Sequence, residues 1–266
     1  MARRAVPAQR RGRRPVLSDE ALVARIREVL GEAEALGLRG EGYRKIWARL
    51  RHRGIAVSKE RVRRLMRAHG LQAPHRTGNE RGPRVHDGTI IPDAPNRMWG
   101  TDATQVRTRR EGMATVFVAV DHFVGDVVDI HAARPGTRFE ALEPIHQGIR
   151  EHFGALEPDV AAGLVLRHDH GPQYMSHHFR AEIAFLGIES SPSFVKAPEG
   201  NGVAERFIRT LKEQLLWVRT FDTVEELRQA LLEFKERYNR HWLLQRHGYA
   251  TPAEVRQACT SMPEAA

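Results

Sequence analysis

A chain of 266 residues with 41% hydrophobic and 28% charged residues has the composition of a soluble protein with one sizeable core and a smaller module. Its single cysteine, Cys259, excludes a disulfide framework and any zinc site built on cysteine pairs, and its longest apolar run, Met113 to Val120, falls short of the roughly 20 residues that a membrane span needs. The net charge of +9 is uneven: residues 1–84 carry 22 Lys and Arg against 8 Asp and Glu, and the remainder 20 against 25, so the front third is the part suited to a polyanion.

Residues 1–16, rich in arginine and proline without periodicity, read as a disordered basic arm. Residues 17–73 read as a helical module. Ser18 is placed to cap a first helix with Leu22, Ile26, Val29 and Leu30 on its apolar stripe, ending near Gly37. Tyr43, Ile46, Trp47 and Leu50 are spaced for a second helix stopping at Gly54, and Ser58 caps a third with Val62, Leu65 and Met66, stopping at Gly70. Two short helices across a tight turn, the second bearing Lys59, Arg61, Arg63, Arg64 and Arg67, form a helix-turn-helix pattern whose basic face suits DNA phosphates. Residues 74–96 read as a linker.

Residues 97–220 alternate strand and helix patterns. Strands are expected around Met98–Arg107, Met113–Asp121 and Val127–Ala132 as an antiparallel meander. Thr137 with Glu140 has the spacing of a capping box before a helix with Phe139, Leu142, Ile145, Ile149 and Phe153. A buried strand at Gly163–Leu166 runs toward Asp169, a short helix with Phe179, Ile183 and Leu186 ends at Gly187, and a strand covers roughly 188–194. A loop with Pro198, Gly200 and Gly202 leads into one helix from about Val203 to Val218. This order predicts an α/β fold, a mixed five-stranded sheet with flanking helices of RNase H type, after an all-α module. Residues 221–266 form a C-terminal helical segment, with a capping box at Thr223 and Glu226 and a last short helix from Thr251-Pro252.

Three acids stand out in this frame: Asp102 within the first strand, Asp169 after the fourth, and Glu205, separated from Asp169 by thirty-five residues, at the start of the helix after the glycine-containing loop. Carboxylates from separate segments, in a basic chain, suit two Mg²⁺ or Mn²⁺ ions held against a phosphodiester. Arg209 and Lys212, at i+4 and i+7 from Glu205, fall on its helix face and can hold DNA phosphates. Asp121, Asp126 and Asp129 read as turn or supporting acids, His168 and His170 as pointing away from Asp169, His170 with a chance of touching substrate, and Trp99 and Trp217 as core or interface aromatics.

The segments Gly42–Leu50 with Val62–Met66, Trp99-Gly-Thr-Asp102, His168–Tyr174, Asn201–Phe207 with Thr210-Leu-Lys212, and Tyr238-Asn239 before Gly248–Pro252 together resemble the OrfB subunits of bacterial two-reading-frame insertion-sequence transposases, relatives of retroviral integrases. The resemblance implies a DDE transposase with an integrase catalytic core, which cleaves element ends and joins their 3′-hydroxyls to other DNA. It implies Asp102, Asp169 and Glu205 as catalytic metal ligands, Asn201 as ordering the loop before Glu205 at the DNA interface, and Lys212 as a DNA contact. A homo-oligomer acting on element ends and target DNA is expected, with an OrfA-like partner or fusion, in the cytoplasm beside the bacterial nucleoid and away from membranes. Residues 241–247, His-Trp-Leu-Leu-Gln-Arg-His, depart from the shorter proline-containing stretch of related proteins. Two other readings fit the same motifs: a nuclease of this fold without strand transfer, and a transposase-derived DNA-binding regulator.

Overall fold

The structure, a computed structural model, describes residues 17–74, 92–193 and 201–261. The chain divides into two compact units, Met1–His75 and Arg76–Ala266. The basic arm, most of the expected linker, the last residues of the strand expected to 194 and the loop residues Pro198 and Gly200 lie outside the described residues.

In the first unit, helices α1 (Asp19–Ala35), α2 (Tyr43–His52) and α3 (Lys59–Ala68) form where apolar residues recur at helical spacing. Ser18 accepts the N–H of Ala21 at 3.1 Å and Ser58 that of Arg61 at 3.2 Å, satisfying amides that the first turns leave without partners. Leu22, Ile26 and Val29 of α1 meet Ile46 and Leu50 of α2 and Val62, Leu65 and Met66 of α3 in one core. Each such aliphatic side chain contributes about 1.5–3 kcal/mol by leaving water. Leu30, expected on the stripe, is only partly buried, and Val23 packs more fully.

The second unit is built on a sheet of strands β1 (Met98–Thr108), β2 (Gly112–Asp121), β3 (Val127–Ala133), β4 (Val165–His168) and β5 (Glu189–Pro192), in the order β3-β2-β1-β4-β5. β1, β2 and β3 pair antiparallel as the expected meander, while β4 pairs parallel with β1 and β5 parallel with β4. Helices cover both faces, which is why β2 is apolar at almost every position. Val116, Val118 and Val120 point to one core with Phe207, Leu211, Leu231 and Phe234, and Phe117 and Ala119 point to the other with Leu142, Ile145, Ile149, Phe179 and Ile183.

The helices are α4 (Arg138–His152), α5 (Pro172–Met175), α6 (His177–Phe185), α7 (Gly202–Leu211), α8 (Val224–His241) and α9 (Pro252–Thr260). Five local expectations need correction. Thr137 makes no side-chain cap on α4, the reciprocal half of the box is also missing because the Glu140 carboxylate is bonded to His131 Nε2 at 2.6 Å, and Phe139 is exposed. The fourth strand starts two residues later than expected, and the short helix α5 was not foreseen. The single helix expected over Val203–Val218 is α7 followed by a π-helical turn at Lys212–Leu216. At α8 only half a capping box forms: Thr223 accepts the N–H of Glu226 at 3.1 Å, but the Glu226 carboxylate accepts that of Asp222 at 2.8 Å. Trp99 is fully buried, whereas Trp217 is exposed and belongs to no core.

The C-terminal helix is tied to the sheet by charge. Arg256 of α9 forms a two-pronged bond to Asp126 and reaches Asp121 Oδ2 at 3.4 Å, with both acids buried. Burial and the Asp126 charge push Asp121 above the ordinary carboxylate range, against the pull of Arg256. Arg256→Ala is expected to cost about 3–5 kcal/mol at neutral pH, read by urea denaturation, because two buried carboxylates lose their cation. An acid whose folded-state pKa is raised destabilises the fold where it is ionised, so this deficit should shrink as pH falls through the elevated range of Asp121. A deficit independent of pH down to about 5 would show that the loss is one of packing alone.

Candidate active site

The pairing of β1 with β4 brings the first two acids together. Trp99 lies opposite Leu166 and Gly100 opposite Arg167, so continuing the register by two residues sets Asp102 opposite Asp169. Strand alternation puts Gly100 and Asp102 on the face of Val106, which is the face packed by α7 and α8. His168 points to the other face: it is buried, its ring centroid lies 5.7 Å from that of Tyr174 and 6.1 Å from that of Phe179, and its Nε2 is 2.9 Å from Ser190 Oγ. His170 is exposed. Asp169 Oδ1 accepts the N–H of Gly171 at 2.8 Å, which leaves its other oxygen open at the carboxyl end of the parallel strands.

Glu205 lies in the first turn of α7 and is exposed, although partial desolvation still raises its carboxyl. No hydrogen bond or ion pair holds it among the described residues. Asp102 registers the whole arrangement, since its carboxyl is pushed up to about 6 by burial and then by the charges of Asp169 and Glu205, while the Ala103 N–H at 2.8 Å and the Lys212 ammonium pull it down. Lys212 therefore stands within electrostatic reach of Asp102, and it has no ion pair among the described residues. Arg209, by contrast, is bonded to Glu213 at 3.0 Å. Among the described residues no three acidic, histidine or cysteine side chains are gathered tightly enough to hold a single ion. Their chemistry is nonetheless that of a hard-cation site: carboxylate oxygens alone, with the charges of Asp169 and Glu205 both opposing ionisation of Asp102.

Asn201, expected at the DNA interface, is buried and serves as a clip within the second unit. Its Nδ2 donates to the Thr101 carbonyl at 2.9 Å, joining the residue before α7 to the residue before Asp102. Its Oδ1 faces the Nε2 of buried His122, and each lies 2.5 Å from the point where a Cβ on Gly100 would stand. Burial pulls His122 down to about 4, so the ring facing the amide is neutral. A glycine inside a strand is the sequence signal for such close approach.

The remaining acids have structural partners. Asp121 accepts the N–H groups of Asn96, Phe123 and Val124 at 2.7–2.9 Å, Asp126 binds Arg256, and Asp129 binds Lys235 at 3.0 Å. In the first unit Arg61 is also committed, with its guanidinium bonded to Asp19 at 2.7 Å and to the Leu17 carbonyl at 2.7 Å, so it fastens α3 to α1 rather than facing outward. Arg64 is bonded to Asp19 at 2.8 Å but remains exposed, Arg63 and Arg67 are exposed, and Lys59 lies 4.3 Å from the Trp47 ring centroid.

Residues 18–78 match the model of the HTH-like domain family, and residues 186–252 match that of the integrase core domain, a span that includes Glu205 but neither aspartate. Over 262 residues, 95% of this chain and 85% of the relative, the sequence is 26% identical to the transposase InsD for insertion element IS2A/D/F/H/I/K of Escherichia coli. The chain is a homologue of insertion-sequence transposases. A second such transposase, InsD for insertion element IS2-9 of Escherichia coli strain K12, is also 26% identical over 95% of this chain and 83% of its own length. The fold of this transposase homologue is shared with a solved structure, the simian T-cell lymphotropic virus intasome in complex with PP2A regulatory subunit B56 gamma, at a TM-score of 0.50 and 20% identity over 85% of this chain and 73% of that one.

Proposed function

We propose that this chain is a DDE transposase that cuts DNA at the ends of a mobile element and joins the freed 3′-hydroxyl to another strand, with Asp102, Asp169 and Glu205 as its metal-binding acids. The observation that supports the reading is the parallel β1–β4 pairing, which, carried two residues past its last pair of Gly100 with Arg167, would bring Asp102 level with Asp169 on the face that α7 packs. Bound there, two Mg²⁺ or Mn²⁺ ions would activate the attacking oxygen and stabilise the leaving one. Asp102, nearest to both other acids in charge, is the natural shared ligand. Lys212 supplies a cation beside them for a DNA phosphate, while the Asn201 clip fixes where α7, and with it Glu205, meets β1. The exposed basic side of α3, with Lys59, Arg63, Arg64 and Arg67, suits phosphate contacts on duplex DNA.

The solved neighbour named above is an intasome, and a homo-oligomer acting on two element ends would suit this chain as well. An OrfA-like partner or fusion would supply further recognition of the ends. No helix among the described residues is long and apolar enough to cross a membrane, and a substrate of bacterial DNA would place the work in the cytoplasm.

A duplex with a pre-cut 3′-hydroxyl end, incubated with the chain and Mg²⁺, should give strands longer than the substrate. A simple nuclease gives only shorter ones. In the same assay Lys212→Ala is expected to lower joining about tenfold or more, and Lys212→Arg to retain most of it, because the cation keeps its reach. Lys235 is unsuitable as the neutral comparison, since its ammonium supports buried Asp129, whereas exposed Arg240 is suitable. Equal joining by Lys212→Ala and Arg240→Ala would remove Lys212 from the site.

A further inference from the structure

The cations of the first unit sort by the kind of partner they have. Lys45 and Arg49 turn to buried Glu41, at 3.8 and 2.6 Å, Arg53 to Glu28 and Glu32, and Arg61 and Arg64 to Asp19 of α1, at 2.7 and 2.8 Å. Hydrogen bonds from Arg64 and then Arg61 hold the Asp19 carboxyl below its ordinary range, so the acid stays ionised and offsets their charge. A second set meets aromatic rings instead. Lys59 Nζ lies 4.3 Å from the centroid of the Trp47 ring and the Arg51 guanidinium 5.3 Å from it, while the guanidiniums of Arg44 and Arg63 stand 5.7 and 6.0 Å from the centroid of Tyr43.

The spacing makes this a face rather than a scatter of contacts. Tyr43, Trp47 and Arg51 succeed one another at i, i+4 and i+8 along α2, and Lys59 and Arg63 at i and i+4 along α3, so one stripe of each helix runs beside the other. Both rings are half-buried against the three-helix core, and Trp47 Nε1 donates to the Val57 carbonyl at 2.8 Å, which fixes its plane. The cations that lie on them, Arg44, Arg51, Lys59 and Arg63, are exposed. Arg63 also reaches exposed Glu60 at 3.3 Å, a contact that water weakens. A carboxylate cancels the charge it binds, whereas a ring face carries only a quadrupole: it orders a cation and leaves the charge to act outward.

We propose that Tyr43 and Trp47 are positioning residues for DNA, holding Arg44, Arg51, Lys59 and Arg63 ready for backbone phosphates along the α2–α3 face, with Arg64, whose charge Asp19 offsets, adding little. The proposal rests on the reading of the first unit as a DNA-binding module, and it extends the contact from α3 onto α2 and away from the α1 side. The advantage is entropic. An unrestrained lysine or arginine gives up many rotamers when it settles on a phosphate, and a side chain already laid on a fixed ring gives up fewer.

The test measures binding of the full chain to a short DNA duplex by fluorescence anisotropy at several salt concentrations, with a melting curve for each variant. Arg44→Ala, Arg51→Ala, Lys59→Ala and Arg63→Ala should each lower the slope of log affinity against log salt by up to about 0.9, the share of one phosphate, and Arg64→Ala should leave it near wild type. Tyr43→Leu and Trp47→Leu should differ from both groups: the cations remain, so the slope holds, while affinity falls about two- to fivefold at every salt concentration. Tyr43→Phe and Trp47→Phe keep a ring under the cations and should bind like wild type. Equal affinities in the Leu and Phe variants of Tyr43, in chains that remain folded, would overturn the positioning role, and this pair decides the matter even where Trp47→Leu does not fold. Slopes untouched by Arg44→Ala and Arg51→Ala would overturn the α2–α3 face. A slope lost in Arg64→Ala and kept in the others rejects the face but leaves the DNA-binding module standing, whereas a measurable slope that none of the alanine variants changes means that DNA is held elsewhere in the chain and that reading fails.

Discussion

Asp102→Asn is expected to reduce strand joining below about 1% of wild type while leaving the fold as stable or slightly more so, because an amide keeps the shape of the acid but loses the charge that holds a divalent cation. The stability half of this expectation follows from the local electrostatics. Asp102 is partly buried, and both Asp169 and Glu205 oppose its ionisation, so the native state carries a repulsion that an amide removes. Asp121 and Asp129 are raised by burial too, but each has a cation bonded to it, whereas Asp102 has none among the described residues, which suits the proposed role in chemistry rather than in the scaffold. Asp169→Asn and Glu205→Gln should abolish joining in the same way. Gel analysis of joined strands from a pre-cut end, with thermal denaturation of each variant, checks both halves. Joining above about 1% in any of them under Mg²⁺ would remove that acid from the ligand set, and a lower melting temperature for Asp102→Asn would mean that its carboxylate is structural.

Much of this architecture was legible in the chain, and the exceptions have physical causes. Ser18, Ser58, Thr223 and Thr251 all cap their helices because a short oxygen-bearing side chain before an apolar stripe has one dominant use. The box at Thr137 loses its reciprocal half because the Glu140 carboxylate finds His131, a contact that local spacing does not encode, and the Thr137 side chain itself makes no cap bond. The π turn at Lys212 keeps the same side chains near the same face, so apolar periodicity registers it poorly. That Asp102 lies in β1, Asp169 just after β4 and Glu205 in the first turn of α7 was readable from the chain. The roles of Asn201 and Arg61 were not, because an amide or guanidinium in a sequence does not declare whether it is buried against a carbonyl or open to DNA. Arg246 escaped notice for the same reason: it sits in the stretch of residues 241–247 that departs from related proteins, and its bond to the Phe123 carbonyl at 2.9 Å is a contact that sequence spacing does not encode.

Gly100→Ala is expected to depress joining by about a hundredfold while lowering stability by only about 1–3 kcal/mol. A methyl at residue 100 would meet Asn201 Oδ1 and His122 Nε2 at 2.5 Å each, closer than atoms pack, so at least one must leave. Both groups are buried, and the His122 backbone is fixed by its N–H on the Met98 carbonyl at 2.9 Å, so the ring has little room to retreat and the crowding displaces the amide at the mouth of α7 as well. Its departure breaks the 2.9 Å bond to the Thr101 carbonyl, which joins the start of α7 to the residue beside Asp102. Glu205 sits one helical turn further on, and misplacing a reacting group by about 1 Å is enough for a loss of this size. DNA affinity should change little, since no phosphate-binding arginine is touched. The discriminating measurement is joining rate and DNA affinity on the same preparation, beside its urea denaturation. Joining within about threefold of wild type, in a chain that remains folded, would show that α7 reaches its position without the clip.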